Sequence, residues 1–312
     1  MSLNMLLNAL SQGLLWGVMA IGVFITFRIL NYADLTAEGS FTLGAAVAAR
    51  LVTMGMDPLV GTLIAIAAGM CAGVVTGFLH TVLRIPPLLS GILAMTGLYS
   101  VNLRVMGTPN IPLLRGTETL ITRTAALPPV NGLIGWLGIT ERLGATIVLG
   151  LAVLAIVIVV LKLFFNTEIG YIVRATGDNE AMARAQGVNT RRMKVLGLLI
   201  SNGCIALSGA LVFQFQGFAD LSMGIGVIVV ALASVIIGEV IFNNKNDYRV
   251  FIAVVLGSVL YRILIAVVLT LGINPHDFRL FSALILATAL SVPLIREKLN
   301  FDLKKLLWGR RC

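Results

Sequence analysis

Residues 144–165 read Gly144-Ala-Thr-Ile-Val-Leu-Gly-Leu-Ala-Val-Leu-Ala-Ile-Val-Ile-Val-Val-Leu-Lys-Leu-Phe-Phe165, an apolar run whose one charge, Lys162, sits near its end. As a helix such a run spans roughly 33 Å, enough to cross about 30 Å of hydrocarbon. Eight more runs flank it: Met5–Phe27, Leu35–Met54, Leu59–Leu83, Leu88–Met106, Met193–Phe215, Leu221–Phe242, Arg249–Leu271 and Leu280–Leu294. The expected fold class is therefore an all-α polytopic membrane protein with about nine transmembrane helices. The second and seventh runs are rich in Gly and Ser and open on polar residues, so they are expected to be broken or partly re-entrant.

Composition supports this reading. Of 312 residues, 58% are hydrophobic and 12% charged, against about 25% charged in soluble domains. A soluble monomer built from this chain would expose far more apolar surface than such proteins tolerate. Cys71 and Cys204 lie in apolar runs and Cys312 at the end, so no disulfide framework is legible. Disorder is excluded by the hydrophobicity. The net charge of +9 accompanies no basic stripe interleaved with aromatics, so nucleic acid is not an expected partner.

The charge instead follows the positive-inside rule. With 166–194 placed in the cytoplasm, 16 Lys and Arg fall on that side and six fall outside (Arg50, Arg104, Arg115, Arg123, Arg142 and Arg279), with Arg262 inside a span. The N-terminus is then outside and the C-terminus inside. The opening MSLNMLLNAL has no basic n-region, so the first run reads as a retained helix rather than a signal peptide. The loop 107–143 carries Pro109, Pro112, Pro128 and Pro129; it serves as an external docking surface or as a plain connector.

Tyr32-Ala-Asp-Leu-Thr36 recurs 186 positions later as Phe218-Ala-Asp-Leu-Ser222, and that offset carries the first four runs onto runs six to nine. Ile85-Pro86-Pro87 is echoed by Ile273-Asn274-Pro275, and Ser90 with Thr96 by Ser282 with Thr288. Run five separates the copies, so they are expected to be inverted, an arrangement common in transporters. The chain divides into a first half (1–107), an extracytoplasmic loop (108–143), a connecting span (144–165), a cytoplasmic loop (166–194), a second half (195–296) and a basic tail (297–312). Asp34 or Thr36, and Asp220 or Ser222, are placed to cap a helix. The N-terminus so capped either ends at the membrane face or meets a substrate carboxylate.

No Gly precedes Lys anywhere, so a P-loop is absent. His80 and His276 have no metal-ligand neighbours at useful spacing, and no nucleophile elbow is present. The loop Arg174-Ala-Thr-Gly-Asp-Asn-Glu-Ala-Met-Ala-Arg-Ala-Gln-Gly-Val-Asn-Thr-Arg-Arg-Met-Lys194 is more informative. Asp178 or Asn179 is suited to cap a helix from Glu180 to Gln186, with Gly187 at its left-handed C-terminal position. Ala181, Met182 and Ala185 then share a small apolar face, which either slots into a soluble partner or belongs to an ordinary loop.

Glu180-Ala181 with Gly187 seven residues on, ahead of Arg191-Arg192 and an apolar span, resembles the coupling loop of ABC importer permeases. Ile29-Leu30-Asn31-Tyr32-Ala33 through Gly39 is similar to the Ile-Asn-Phe-Ala-His-Gly region of the branched-chain amino-acid/ribose-type permease family. It departs from that pattern where Asp34 and Leu35 replace His-Gly. Asp34-Leu-Thr-Ala-Glu-Gly-Ser-Phe resembles a branch of that family linked to binding proteins for aromatic amino acids. The resemblance implies a non-enzymatic permease in a bacterial inner membrane, a homodimer fed by an extracytoplasmic binding protein. It also implies that ATP and Mg are handled by a separate cytoplasmic ABC ATPase. Asp178, Glu180, Ala181, Met182, Ala185 and Gly187 would be the coupling residues. Sugars or nucleosides are the alternative cargo, and an ion-coupled secondary transporter is the alternative class.

Ionisable groups within the bilayer are costly and mark functional positions. Glu38 and Glu239 lie near cytoplasmic ends of their runs and either snorkel or serve function. Arg262, near the centre of its run, either faces the pore or makes a structural pair. Ser40, Thr96, Asn102, Ser222 and Thr288 complete the expected lining of a translocation path, with Gln214 and Gln216 as weaker candidates. Gly69, Gly73 and Gly77 fall on one helical face, as close helix packing requires.

Overall fold

The computed structural model describes residues 3–114, 116–128, 140–242 and 247–270, with isolated helical positions at 280, 283, 284, 287, 288 and 291. Most of the expected span 280–294, all of the tail 297–312, and the Pro275 and Ser282 echoes lie outside the described residues. Helix α1 (Leu3–Phe24) passes into a π-helical turn (Ile25–Ile29); α2 (Thr36–Thr53), α3 (Pro58–Thr81) and α4 (Pro87–Met106) follow. Strand β1 (Asn110–Pro112) and short α5 (Leu120–Ala125) precede α6 (Glu141–Phe165), α7 (Glu168–Asp178) and α8 (Glu180–Ala185). Then come α9 (Thr190–Gln216), β2 (Phe218–Asp220), α10 (Val227–Phe242) and α11 (Asp247–Thr270).

The boundaries obey local chemistry. Proline occupies the first position of α3 and α4, where its missing N–H costs nothing, and Asp57 Oδ1 accepts from Leu59 N at 2.8 Å. Gly107 (φ 74°) and Gly217 (φ 82°) end α4 and α9 in the left-handed conformation that glycine adopts without strain.

Among the described residues, six helices are long and apolar enough to cross a membrane: α1 with its π turn, α3, α4, α6, α9 and α11. Helix α10 is apolar but shorter. The expected break in the second run is corrected, because α2 is continuous over its 18 residues. Its small residues answer to burial instead: 13 of those 18 are buried. A Cβ on Gly44 would lie 2.0 Å from Ala206 O of α9. The seventh run is interrupted, and its helix begins at Val227 rather than Leu221. The described residues are mostly helical, as expected, with one small antiparallel pair, β1 with β2, in which Ile111 faces Ala219.

Helix α9 is the axis of the bundle. Gly69, Gly73 and Gly77 of α3 lie against it, and a Cβ on Gly73 would meet Leu198 O at 2.3 Å. Helix α1 crosses its other side, where Ser201 Oγ donates to Gly22 O at 2.7 Å and Ser208 Oγ to Leu15 O at 2.8 Å. Contacts that advance along one helix as they recede along the other make this crossing antiparallel. The two bonds also exchange under the 186-residue offset, since Leu15 corresponds to Ser201 and Gly22 to Ser208. The Gly73 crossing has a matching partner, for a Cβ on Gly13 would sit 2.6 Å from Val259 Cα.

These close approaches give a clear expectation. Gly73→Leu forces α3 off α9 and lowers thermal stability by about 1–3 kcal/mol or more, whereas Gly97→Leu, with nothing within 4 Å of its Cβ, is tolerated. Melting followed by size-exclusion of detergent-solubilised protein separates the two; equal melting temperatures would contradict the packing account.

Candidate functional site

Two constellations stand out. They lie at different depths along α9, whose 27 residues extend roughly 40 Å.

The first surrounds α8 at the N-terminal end of α9. Asn179 caps α8 by accepting from Met182 N at 3.0 Å; Asp178, the other expected cap, instead ends α7. Gly187 has φ 83°, and Val188 N donates to Ala183 O at 3.1 Å to close the helix. Ala183 is the buried anchor. Ala181, Met182 and Ala185 are exposed, so the expected apolar face exists and points away from the bundle.

Glu180 holds this short helix in place. Its carboxylate accepts from Lys194 Nζ at 2.7 Å, Arg184 Nη2 at 2.8 Å and Thr190 Oγ1 at 3.1 Å. The hydrogen bond from Lys194 is the largest influence keeping its pKa below the ordinary carboxyl value. Glu180 is therefore a positioning residue that faces its own chain. Lys194 also approaches His80 Nε2 at 3.4 Å. His80 Nδ1 lies 2.8 Å from Ile85 O, and since a carbonyl only accepts, Nδ1 carries the proton. The His80 ring meets Tyr32 edge-on at 5.2 Å, and the Tyr32 hydroxyl lies 2.5 Å from Ser90 Oγ at the start of α4. A chain of contacts thus runs from α8 to the feet of α2 and α4. Lys194, His80, Tyr32 and Ser90 were not legible as a group, being scattered over four elements.

The second constellation is a cavity of about 290 Å³ lined by Glu38, Thr42, Thr96, Tyr99, Asn102, Leu221 and Ile225, with Met95 and two glycines. It brings together three expected lining residues, Glu38, Thr96 and Asn102. Ser222, next to Leu221, is not in the lining, and its backbone N and hydroxyl are turned to Asp220 Oδ1. Asp34 makes the corresponding turn, with Thr36 N donating to its Oδ1 at 2.9 Å. Asp34 is fully buried, and Asn202 Nδ2 donates to its other oxygen at 2.8 Å.

The cavity lies near mid-bundle. Ser40 Oγ donates to Asn202 Oδ1 at 2.6 Å, halfway along α9, and a Cβ on Gly39 would meet Met95 and Leu98 halfway along α4. Glu38 is thus level with the middle of two long helices, which corrects the expectation of a snorkelling end position. The chain enters the bundle before α2 begins: Leu30 packs on Gly197, and Tyr32 is 3% exposed. Glu38 Oε1 accepts from Gly226 N at 3.0 Å, so the N-terminus of α10 meets a side chain of the protein itself. Asn102 is 2% exposed; its Nδ2 donates to Gly39 O at 3.2 Å, while its Oδ1 is buried without a partner among the described residues.

Other expected residues lie elsewhere. Ser40 is packed in the core on Asn202. Arg262 lies over the Trp16 ring at 3.9 Å and donates to Gln12 Oε1 at 3.1 Å; it is outside the cavity lining, and its pairing is with α1. Glu239 accepts from Arg28 Nε at 2.8 Å. Thr288 is exposed and does not line the cavity. Gln214 and Gln216 border a separate cavity of about 570 Å³ beside α5, with Arg142 and Glu141. Gln214 Oε1 there accepts from Leu120 N at 2.8 Å.

With this geometry in view, the chain can be set beside known proteins. Residues 5–290 match the family described as "Branched-chain amino acid transport system / permease component". The chain belongs to this family. It is 40% identical over 300 residues, 96% of this chain and 94% of the relative, to the tyrosine transport system permease protein of Clostridioides difficile (strain R20291). An uncharacterized protein of Rickettsia prowazekii (strain Madrid E) is 36% identical over 93% of this chain and 98% of its own length. The ribose import permease protein RbsC of Escherichia coli (strain K12) is 26% identical over 76% of this chain and 70% of its own length. The protein is thus an ABC transporter permease, a multi-pass inner-membrane transport subunit rather than an enzyme.

The clamp on α8 has a definite pH dependence. Because the Glu180 carboxyl titrates below its ordinary value of 4.5 in the folded chain, its contribution is full above that value and is lost as pH falls through the lowered one. A spin label at Met182→Cys, in a chain with its native cysteines replaced, should keep one mobility from pH 8 to about 5.5 and loosen only below about 4.5. Glu180→Gln should show the looser signal throughout; a signal indifferent to both changes would contradict the clamp.

Proposed function

We propose that this permease is the membrane pathway of an ABC importer for an amino acid, worked by a separate cytoplasmic ATPase that grips α8. The observation that carries the reading is the clamped, doubly capped α8, which presents Ala181, Met182 and Ala185 outward. A helix of two turns is marginal alone, so the three hydrogen bonds to Glu180 fit a surface that must bear load. In this reading the α8 end is cytoplasmic, with the N-terminus outside and the C-terminus inside, as the distribution of Lys and Arg requires. Asp178, Glu180 and Gly187 shape the coupling loop, and ATP and Mg belong to the ATPase, this chain itself carrying no cofactor.

The two halves act as inverted repeats. Supporting this are the antiparallel crossing of α1 and α9 and the two serine hydrogen bonds that exchange under the same offset as the Ala-Asp-Leu elements. Such repeats place a solute site near the bilayer midplane, beside interrupted helices. The cavity of Glu38, Thr96 and Asn102 fits that description, with the seventh apolar run interrupted at 221–226 before α10 begins. A homodimer of this chain, supplied by an extracytoplasmic binding protein that docks near the 107–143 loop, completes the transporter. An amino-acid cargo of aromatic type is favoured by the tyrosine permease relative over the ribose type.

Vesicles carrying the full assembly should import L-tyrosine only with internal ATP, and a proton ionophore should leave the rate within about twofold of the control. Uptake driven by a proton gradient without the ATPase would overturn the proposal in favour of a secondary transporter.

A further inference from the structure

We infer that His80 is the positioning residue through which a movement of α8 reaches α2 and α4 together. Two turns carry the inference. Among the described residues, the non-glycine residues with positive φ are Asn31 (48°) and Arg84 (58°). That left-handed conformation is unfavourable for a residue with a Cβ, and it persists only where the surroundings hold it. Asn31 lies in the turn that enters α2, and Arg84 in the turn between α3 and α4. His80, in the last turn of α3, touches the residue that follows each of them. Its Nδ1–H donates to Ile85 O at 2.8 Å, and its ring meets the Tyr32 ring edge-on, with centroids 5.2 Å apart. One side chain therefore clasps both strained turns.

A third contact connects this clasp to the surface. With Nδ1 carrying the proton, Nε2 has only a lone pair to offer, and the Lys194 ammonium stands 3.4 Å from it. The same Nζ donates to Glu180 Oε2 at 2.7 Å, and the Lys194 side chain is only 16% exposed. A single ammonium is thus shared between the clamp on α8 and the clasp on the two turns. Little slack follows the clasp. Ile85 leads through Pro86 into Pro87, the first residue of α4, and proline fixes φ at both positions. Tyr32 leads through the Asp34 turn, closed by Thr36 N, into α2. The Tyr32 hydroxyl, 2.5 Å from Ser90 Oγ, ties the two helix starts to each other. His80 lies outside the cavity lining, so it acts on the cavity only by setting where two of its walls begin.

This assignment rests on the reading above that an ATPase grips α8, and its test keeps the two apart. The quantity to measure is L-tyrosine imported per ATP hydrolysed in the assembled transporter. His80→Phe keeps a ring against Tyr32 and removes both nitrogens. It should lower this ratio about fivefold, the factor that a hydrogen bond of ordinary strength is worth, while basal ATP hydrolysis stays within about twofold. His80→Gln still presents an acceptor to Lys194 and should keep the ratio within about twofold of the unsubstituted protein. Lys194→Met leaves Glu180 its donors Arg184 and Thr190 but takes the partner from Nε2. Combined with His80→Phe, it should cost no more than the larger single loss, because the two residues act through one contact. An unchanged ratio in His80→Phe, equal losses in His80→Phe and His80→Gln, or losses that multiply in the double variant would each overturn the assignment. If His80→Phe does not assemble, the other two variants decide: coupling kept by His80→Gln and lost by Lys194→Met supports the assignment, and any other pattern overturns it. An unsubstituted assembly that imports nothing with ATP would instead bring down the reading on which the assignment rests.

Discussion

Helix α9 can lie where it does only because side chains are absent from the surfaces it touches. Gly44 and Gly73 present bare backbone to it, and Gly209 of α9 returns the favour against Phe41, where a Cβ would sit 2.0 Å from the carbonyl oxygen. In a membrane, where lipid is as apolar as any side chain, such close backbone approach is a principal source of helix association. Everything else hangs from this axis. Its first turns hold Lys194 and Thr190 for the clamp on Glu180. Its middle holds Asn202, which ties Asp34 and Ser40 and so fixes the entry of α2. Its last residue leads through Gly217 into β2 and the segment that lines the Glu38 cavity.

The arrangement joins a surface event to a central one through short, stiff contacts. The α8 clamp touches Lys194, Lys194 touches His80, and the His80 ring abuts Tyr32, whose hydroxyl reaches Ser90. From Ser90, α4 rises to Thr96, Tyr99 and Asn102; from Tyr32, the chain turns into α2 and Glu38. A displacement of α8 by an ATPase would therefore be felt at both walls of the cavity without bending a long helix. The β1–β2 pair closes the far side, since the segment that leaves β2 is the one that descends to meet Glu38.

Much of this was legible from local pattern. The apolar runs located the long helices, and the pair Asp178-Asn179 with Gly187 bracketed α8, because capping is decided by neighbours in sequence. The glycine spacing at 69, 73 and 77 announced a packing face for the same reason. What could not be read depends on residues distant in sequence. Glu38 looks terminal when α2 is considered alone; only the burial of Leu30, Tyr32 and Asp34 inside the bundle brings it to mid-depth. Arg262 has no acid at helical spacing, and its partner, Trp16, lies 246 positions away. The Gly- and Ser-rich opening of α2 suggested a break, whereas the same composition served dense packing on several sides. In the seventh run that composition did accompany an interruption, because 218–226 leaves the helix to pair with β1 and reach Glu38.

The central claim is that α8 is the surface on which an ATPase does its work. The most direct measurement places a photo-crosslinking amino acid at Met182 in the assembled transporter and identifies what it captures on illumination. The account predicts covalent attachment to the ATPase subunit. Capture of lipid or of the permease alone would contradict it.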